Sequence, residues 1–271
     1  MYNSQIYRDK AKKITYATLY IITKLLLLLC EISYIFSFPL AFFIKILYNI
    51  FDMKNFTITS ARALCGAAVK LGFLPFFQNS IKGFSVAEHC PPKLWFTDVP
   101  GPWEWKGPVI KTGRCAYGKF FKNKAVYVSL DMLPHLCNYR RDGYDFDARC
   151  DDDLVFYRDK EIYEIIQKSG KITSKDLKKK LGDDKNTDKY LTRLQMQTYI
   201  VISDFIYERS KDGAQYGWGI AEYTTPEFLY GRELVTSQYK TKPETSLQIM
   251  ADTICKNFPE ADRQTVIKLI K

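Results

Sequence analysis

The feature that most constrains the fold is a succession of three short helical patterns in the second half of the chain. The first pattern spaces its isoleucines as on the buried face of a helix, and a glycine follows it. The second pattern is rich in lysine and is also closed by a glycine, which is typical of helix ends. We predict these helices over residues 160–169, 175–181 and 188–194.

Two strand patterns follow the third helix. Residues 198–208 are β-branched and aromatic, residues 216–224 resemble them, and the Lys-Asp-Gly at 211–213 is a hairpin signal. A brief extended link at 172–173 separates the first two helices. Helix, link, helix, helix and hairpin is the order of a winged helix-turn-helix. We therefore predict an α+β fold containing winged helix-turn-helix units, either one or a tandem pair.

The first 52 residues differ in composition from the rest of the chain. A membrane-spanning helix needs roughly 20 predominantly apolar residues, and the apolar stretch 14–51 contains such a window. This stretch is either an apolar helical extension that forms a membrane anchor or re-entrant hairpin, or a segment before a native start at Met53. We predict four segments, which are the extension (1–52), an α+β domain that resembles a degenerate winged helix (53–153), the winged helix-turn-helix (154–230) and C-terminal helices (231–271).

The charge of the chain favours an anionic partner, because 40 lysines and arginines stand against 30 acidic residues. Basic residues concentrate on the second and third predicted helices, where a winged helix-turn-helix contacts the phosphates and the major groove of double-stranded DNA. Asp183, Asp184 and Asp188 oppose this interpretation, since they make the start of the third helix less positive. The predicted DNA-binding residues are Lys175, Lys178, Lys179, Lys185, Lys189, Arg193 and Lys211.

Two glutamines lie where the third helix should pass into a strand. On an extended segment Gln195 and Gln197 would lie on one side and Met196 on the other, whereas on a helix the two amides would point apart. An amide has no usable pKa, so the pair could orient a water molecule but could not act as a strong base. We expect both amides side by side in an open, positively charged groove. Hydrogen bonds to the backbone or to water are the alternative.

The string from residue 190 to 202, with Gln-Met-Gln at its centre, resembles the catalytic motif of the AlkZ/YcaQ family of winged-helix DNA glycosylases. Residues 103–106 and 118–127 are more loosely similar to the tryptophan-rich opening of another winged-helix unit in that family. The resemblance implies that Gln195 and Gln197 are catalytic and that the activity is monofunctional removal of alkylated purines in DNA repair. Known members are longer than this chain, so a catalytically altered or inactive relative is also consistent with the resemblance.

The chemistry of two amides suits a cationic lesion. An N7-alkylated guanine already carries positive charge, so its departure from the sugar needs little protonation. An enzyme that reaches such a base flips it or approaches through a groove, where aromatic side chains can stack on it. We predict this role for Tyr199, Tyr216 and Trp218, with ordinary packing between paired strands as the alternative.

The sequence predicts neither a cofactor nor a metal. It has only two histidines and no glycine-rich phosphate loop, and the acidic cluster at 145–153 lacks the spacing of a calcium loop. Its scattered cysteines fit a reduced, cytoplasmic compartment. Two alternatives to a glycosylase stay open, namely a non-catalytic DNA-binding or regulatory protein and a membrane-anchored protein-interaction module.

Overall fold

The computed structural model describes residues 56–96, 99–182, 185–213 and 215–271, without the side chains of residues 215 and 216. Residues 57–271 form one compact unit. The predicted extension at 1–52 lies outside the described residues, and its membrane contact stays a prediction. No helix in the described part is long and apolar enough to cross a membrane. The predicted boundaries at 153 and 230 also stay predictions.

The first half of the described chain forms an antiparallel sheet with helices packed around it. Its elements are α1 (Ala61–Leu71), β1 (Phe73–Pro75), α2 (Val86–His89), a 3-10 turn (Pro92–Leu94), α3 (Pro102–Lys111), β2 (Cys115–Phe121), β3 (Lys124–Ser129), α4 (Leu133–Arg141) and α5 (Phe146–Asp151). The strand order is β1-β3-β2, so β2 is an edge strand of this sheet. The β2–β3 hairpin turns at Lys122 and Asn123, which both adopt positive φ.

The second half begins with the predicted order of helix, link, helix, helix and hairpin. Its elements are α6 (Tyr157–Ser169), β4 (Ile172–Thr173), α7 (Ser174–Lys180), α8 (Thr187–Met196), β5 (Val201–Arg209) and β6 (Gln215–Thr224). The three strands form a second antiparallel sheet in the order β4-β6-β5. The helices bury one apolar face each, with Ile162 and Ile166 from α6, Leu177 from α7, and Leu191 and Leu194 from α8.

Four helices complete the chain, namely α9 (Pro226–Tyr230), α10 (Arg232–Thr236), α11 (Pro243–Asn257) and α12 (Arg263–Ile270). On α11, Leu247, Met250 and Ile254 follow the helical spacing that the sequence predicts, and all three are buried. They join the same hydrophobic core as the first sheet. The C-terminal helices therefore complete the hydrophobic core of the N-terminal half of the unit.

The mixed helices and small antiparallel sheets confirm the predicted α+β class, with one local difference at the end of α8. The helix continues through Gln195 and Met196, two residues beyond the prediction, and β5 begins only at Val201. The connection is a tight turn in which Thr198 has a φ of 63°. A helix end therefore occupies the place where the sequence predicts extended backbone.

Candidate functional site

Gln195 lies in the last turn of α8 and is fully buried, with 0% of its surface exposed. Its Oε1 accepts a hydrogen bond from the backbone N–H of Lys119 over 3.0 Å, and its Nε2 donates to the carbonyl of Leu191 over 3.1 Å. The amide thus provides a partner for a partly buried backbone donor on the edge strand β2. The prediction that Gln195 faces an open groove is wrong, because its side chain is buried and bonded to the edge strand β2.

Gln197 follows the helix as its C-terminal cap, and its N–H bonds to the carbonyl of Arg193 over 2.9 Å. Its side chain is half-buried and has no hydrogen-bond partner among the described residues. Because Gln195 and Met196 are helical, the two glutamines do not emerge together from an extended segment. The expected side-by-side pair is therefore wrong, and only Gln197 offers its amide to a ligand.

The turn after α8 is held by a buried guanidinium. Arg141 is 1% exposed and donates to Thr198 twice, through Nη2 to the carbonyl over 2.6 Å and through Nε to Oγ1 over 3.2 Å. The same guanidinium contacts Glu227 over 2.5 Å and the hydroxyl of Tyr239 over 3.0 Å. A left-handed threonine is uncommon, and these contacts stabilise it. The backbone beside Gln197 is therefore fixed by the core.

The predicted stacking residues differ in exposure. Tyr199 is 1% exposed, packs edge-on against Phe146 with ring centroids 5.0 Å apart, and donates its hydroxyl to the carbonyl of Tyr144 over 3.1 Å. Its stacking role is wrong, because the turn directs the ring into the core. Trp218 is 74% exposed and available to a ligand. The side chain of Tyr216 lies outside the described residues.

Some predicted DNA-binding cations already have acidic partners. Three ion pairs join Lys175 to Glu208 (2.7 Å), Lys178 to Asp188 (3.0 Å) and Arg193 to Asp159 (2.5 Å). The pair of Arg193 and Asp159 is the most buried of the three, since the Asp159 side chain is only 3% exposed. This carboxylate accepts hydrogen bonds from both Nε and Nη2 of Arg193. Arg193 therefore joins α8 to α6 and neutralises a buried carboxylate.

The other predicted cations are exposed. Lys179 lies in the last turn of α7, Lys185 lies in the turn before α8, Lys189 lies in the first turn of α8, and Lys211 lies at the turn of the second hairpin. None of the four forms an ion pair with a described residue. Their ammonium groups are therefore available to an anionic partner.

The sequence also matches a known protein family. The sequence model of a family described as AlkZ related matches residues 58–271, which include both sheets and all the helices described above. The chain belongs to the AlkZ-related family. The match agrees with the resemblance of residues 190–202 to the AlkZ/YcaQ family. No curated protein and no solved structure matches the chain.

Further cations of the AlkZ-related protein come from the first hairpin, and none of them is among the predicted site residues. The Nζ of Lys119 donates to Oγ1 of Thr192 on α8 over 3.0 Å. At the hairpin turn the N–H of Asn123 lies 3.4 Å from the sulfur of Met196, and the flanking Lys122 and Lys124 are exposed. The three lysines within residues 119–124 were the available signal, but their position beside α8 depends on a contact between residues 73 apart.

The described part of this AlkZ-related protein has no group of three or more histidine, cysteine or acidic residues that could hold a metal ion. In the acidic cluster, Asp145 forms an ion pair with Arg232. The site of interest is therefore the surface around α8, composed of exposed lysines and one free amide.

Proposed function

We propose that this AlkZ-related protein binds double-stranded DNA, with residues 157–224 acting as a winged helix-turn-helix. The observation that carries the proposal is the set of exposed lysines that follow one another along the chain, Lys179 at the end of α7, Lys185 in the turn before α8 and Lys189 in the first turn of α8. Cations at these positions would neutralise phosphates on either side of a groove that α8 enters.

The faces of α8 support this orientation. Leu191 and Leu194 point into the core, and Gln195 is covered by β2. The exposed residues of the helix therefore lie mainly near its N-terminal end. Recognition helices contact base edges mainly through their N-terminal residues. Lys122 and Lys124, on the hairpin at the other end of α8, extend the basic surface.

A fluorescence-anisotropy titration with an unmodified DNA duplex tests the binding. The triple variant Lys179→Gln, Lys185→Gln and Lys189→Gln should reduce the slope of log affinity against log salt by about 2–3, since each lost phosphate contact contributes about 0.9. The matched control removes three exposed lysines elsewhere, Lys240, Lys242 and Lys256, in the same way. Equal slopes for the two triple variants would contradict the proposed interface.

A second candidate function is hydrolysis of the N-glycosidic bond of an N7-alkylated purine. It is favoured by one observation, the half-exposed amide of Gln197 at the fixed end of α8. A single amide can hold a water molecule beside the sugar of a cationic base, whose departure needs no strong acid. Gln195 would support this role only indirectly, through the packing of α8 on β2.

Release of 7-methylguanine from methylated duplex DNA tests the reaction. Gln197→Ala should abolish the release while leaving DNA binding unchanged, and the exposed Gln167→Ala is the matched control. Salt-sensitive binding without any base release would instead identify a non-catalytic DNA-binding protein.

A further inference from the structure

An apolar cleft lies where the first sheet meets the last helix, on a surface that the proposed function does not use. Its volume is about 360 Å³, and its apolar lining comes from β1, β2, β3 and α12 and from the loop after β1, through Pro75, Phe121, Val126, Leu269 and Phe77. The first four of these residues are buried, whereas Phe77 is 41% exposed. The volume lies at the lower end of the range of about 300–1,000 Å³ that binding pockets occupy.

The exposed ring in this cleft is held from behind by other aromatic rings. Phe77 packs edge-on against Phe76 with ring centroids 5.1 Å apart, and its centroid lies 5.9 Å from that of Trp103. The Nζ of Lys106 lies over both of these supporting rings, 5.8 Å from the centroid of Phe76 and 4.9 Å from that of Trp103. Phe77 therefore presents a fixed apolar surface to the cleft.

The loop that follows Phe77 is closed by the side chain of Asn79. Its Oδ1 accepts from the N–H of Ile81 over 2.9 Å, and its Nδ2 donates to the carbonyl of Phe84 over 2.6 Å. The wall of the cleft is thus formed before any ligand arrives. Binding to a preformed wall loses little conformational entropy, which favours affinity for a short ligand.

Three lysines line the same cleft from two directions. Lys122 lies in the turn of the β2–β3 hairpin, Lys124 begins β3, and Lys268 lies in the last turn of α12. All three are exposed, and none forms an ion pair with a described residue. No acidic residue is among the described residues that line the cleft. Asp262, which caps α12, accepts from the N–H and the hydroxyl of Thr265 over 2.8 and 2.9 Å.

We propose that this cleft binds an acidic peptide segment of a partner protein. One large apolar side chain of the segment contacts Phe77 and Leu269, and its carboxylates meet the lysines on both sides. A fatty acid brings one charge, which reaches the cations of one wall, whereas acidic residues before and after an apolar side chain reach the hairpin and α12 together. Buried apolar anchors supply most of the affinity in such interfaces, and charges at the rim supply orientation and speed of association.

Fluorescence anisotropy of a labelled peptide, titrated with the full chain, tests the cleft. The probe is fluorescein-labelled Glu-Asp-Phe-Asp-Glu with a blocked C-terminus. Replacing its Phe by Ser removes the apolar anchor, and replacing its acidic residues by Asn and Gln removes the charge. Each replacement should weaken binding by about tenfold or more, since both parts of the ligand are needed.

Two protein variants assign the binding to this cleft. Lys268→Glu should weaken binding of the acidic peptide about fivefold and should not weaken binding of the neutral peptide. Phe77→Ala should weaken binding of the acidic peptide by a similar factor, because the anchor loses its half of the apolar wall. Lys256→Glu and Phe96→Ala are the matched controls, since both residues are exposed and neither lines the cleft. They should bind the peptide as the unaltered protein does.

Equal binding of the Phe and Ser peptides, or equal losses for Lys268→Glu and Lys256→Glu, would overturn the inference. Displacement of the probe by octanoate at lower concentrations than by unlabelled peptide would also overturn it, because the occupant would then be a small amphiphilic anion. Lys122 and Lys124 belong also to the basic surface beside α8, but Lys268 does not. Lys268→Glu and Lys256→Glu should therefore bind an unmodified DNA duplex alike. A larger loss of duplex binding for Lys268→Glu would assign the cleft to nucleic acid instead.

Discussion

The side chain of Gln195 connects the two halves of the molecule, with its Oε1 3.0 Å from the backbone nitrogen of Lys119 in β2. Its other end returns to α8 at the carbonyl of Leu191. One amide thus serves as a hydrogen-bond partner for an edge strand and for the last turn of a helix. The most specific string in the sequence therefore contains a residue whose role in this structure is to join α8 to the first sheet.

Replacing Gln195 by alanine should destabilise the protein by about 2–3 kcal/mol, because it leaves the partly buried N–H of Lys119 without its partner and opens a small cavity at a fully buried position. The free energy of unfolding from urea titrations measures this loss. Gln197→Ala is the control and should change stability by no more than about 0.5 kcal/mol, since its side chain is partly exposed and unbonded. Similar losses for both variants would contradict the structural role of Gln195.

Arg193→Gln should lower stability by about 2–4 kcal/mol, since it leaves the carboxylate of Asp159 buried without its cation. Lys189→Gln, on the same helix but exposed, should leave stability nearly unchanged and weaken DNA binding instead. Thermal unfolding and anisotropy titrations of both variants separate the two effects. An unchanged melting temperature for Arg193→Gln would show that the ion pair does not stabilise the packing of α8 on α6.

Arg141→Met should cost about 3–5 kcal/mol, because it removes a buried charge and leaves Glu227 and the carbonyl of Thr198 without their donor. Hydrogen exchange should also accelerate at residues 197–199, since the left-handed turn loses its support. The exposed Arg62→Met is the control. Unaltered exchange in this turn would mean that its conformation does not depend on the guanidinium.

The stability of the protein should depend on pH through the ammonium group of Lys106. Burial lowers the pKa of its ammonium from 10.5 to about 8, so the unfolded state binds more protons than the folded state between these two values. Stability contributed by this residue therefore rises with pH across that window and is constant below it. In the unaltered protein this contribution should raise the free energy of unfolding by about 1–2 kcal/mol across the window, allowing for the partial exposure of the ammonium. The Lys106→Met variant should lack this rise.

Urea titrations between about pH 8 and pH 10 measure the difference, with the exposed Lys256→Met as the matched control. The comparison between variants is needed because other lysines and tyrosines also titrate in this range. Parallel stability curves for Lys106→Met and the unaltered protein would indicate that the surrounding rings fully offset the burial of the charge.

Local patterns predicted much of the second half of the chain. The spacing of Ile162 and Ile166 and the glycine stops at Gly170 and Gly182 indicate helices where α6 and α7 lie, and the turn signal at 211–213 separates β5 from β6. These features depend on residues a few positions apart. Hydrophobic periodicity and turn chemistry are sufficient to specify them.

The sequence by itself determined the α+β class, the order of these elements and the surplus of positive charge, because each depends on composition or on neighbours along the chain. Only the tertiary structure decided the fate of individual side chains. It buried Gln195 under an edge strand 76 residues away, turned Tyr199 into the core, and assembled Trp95, Trp103 and Trp218 into one cleft. The hydrogen-bonding groups and aromatic rings that make these contacts belong to segments far apart in the sequence. Local sequence patterns do not show which of these segments will lie next to each other.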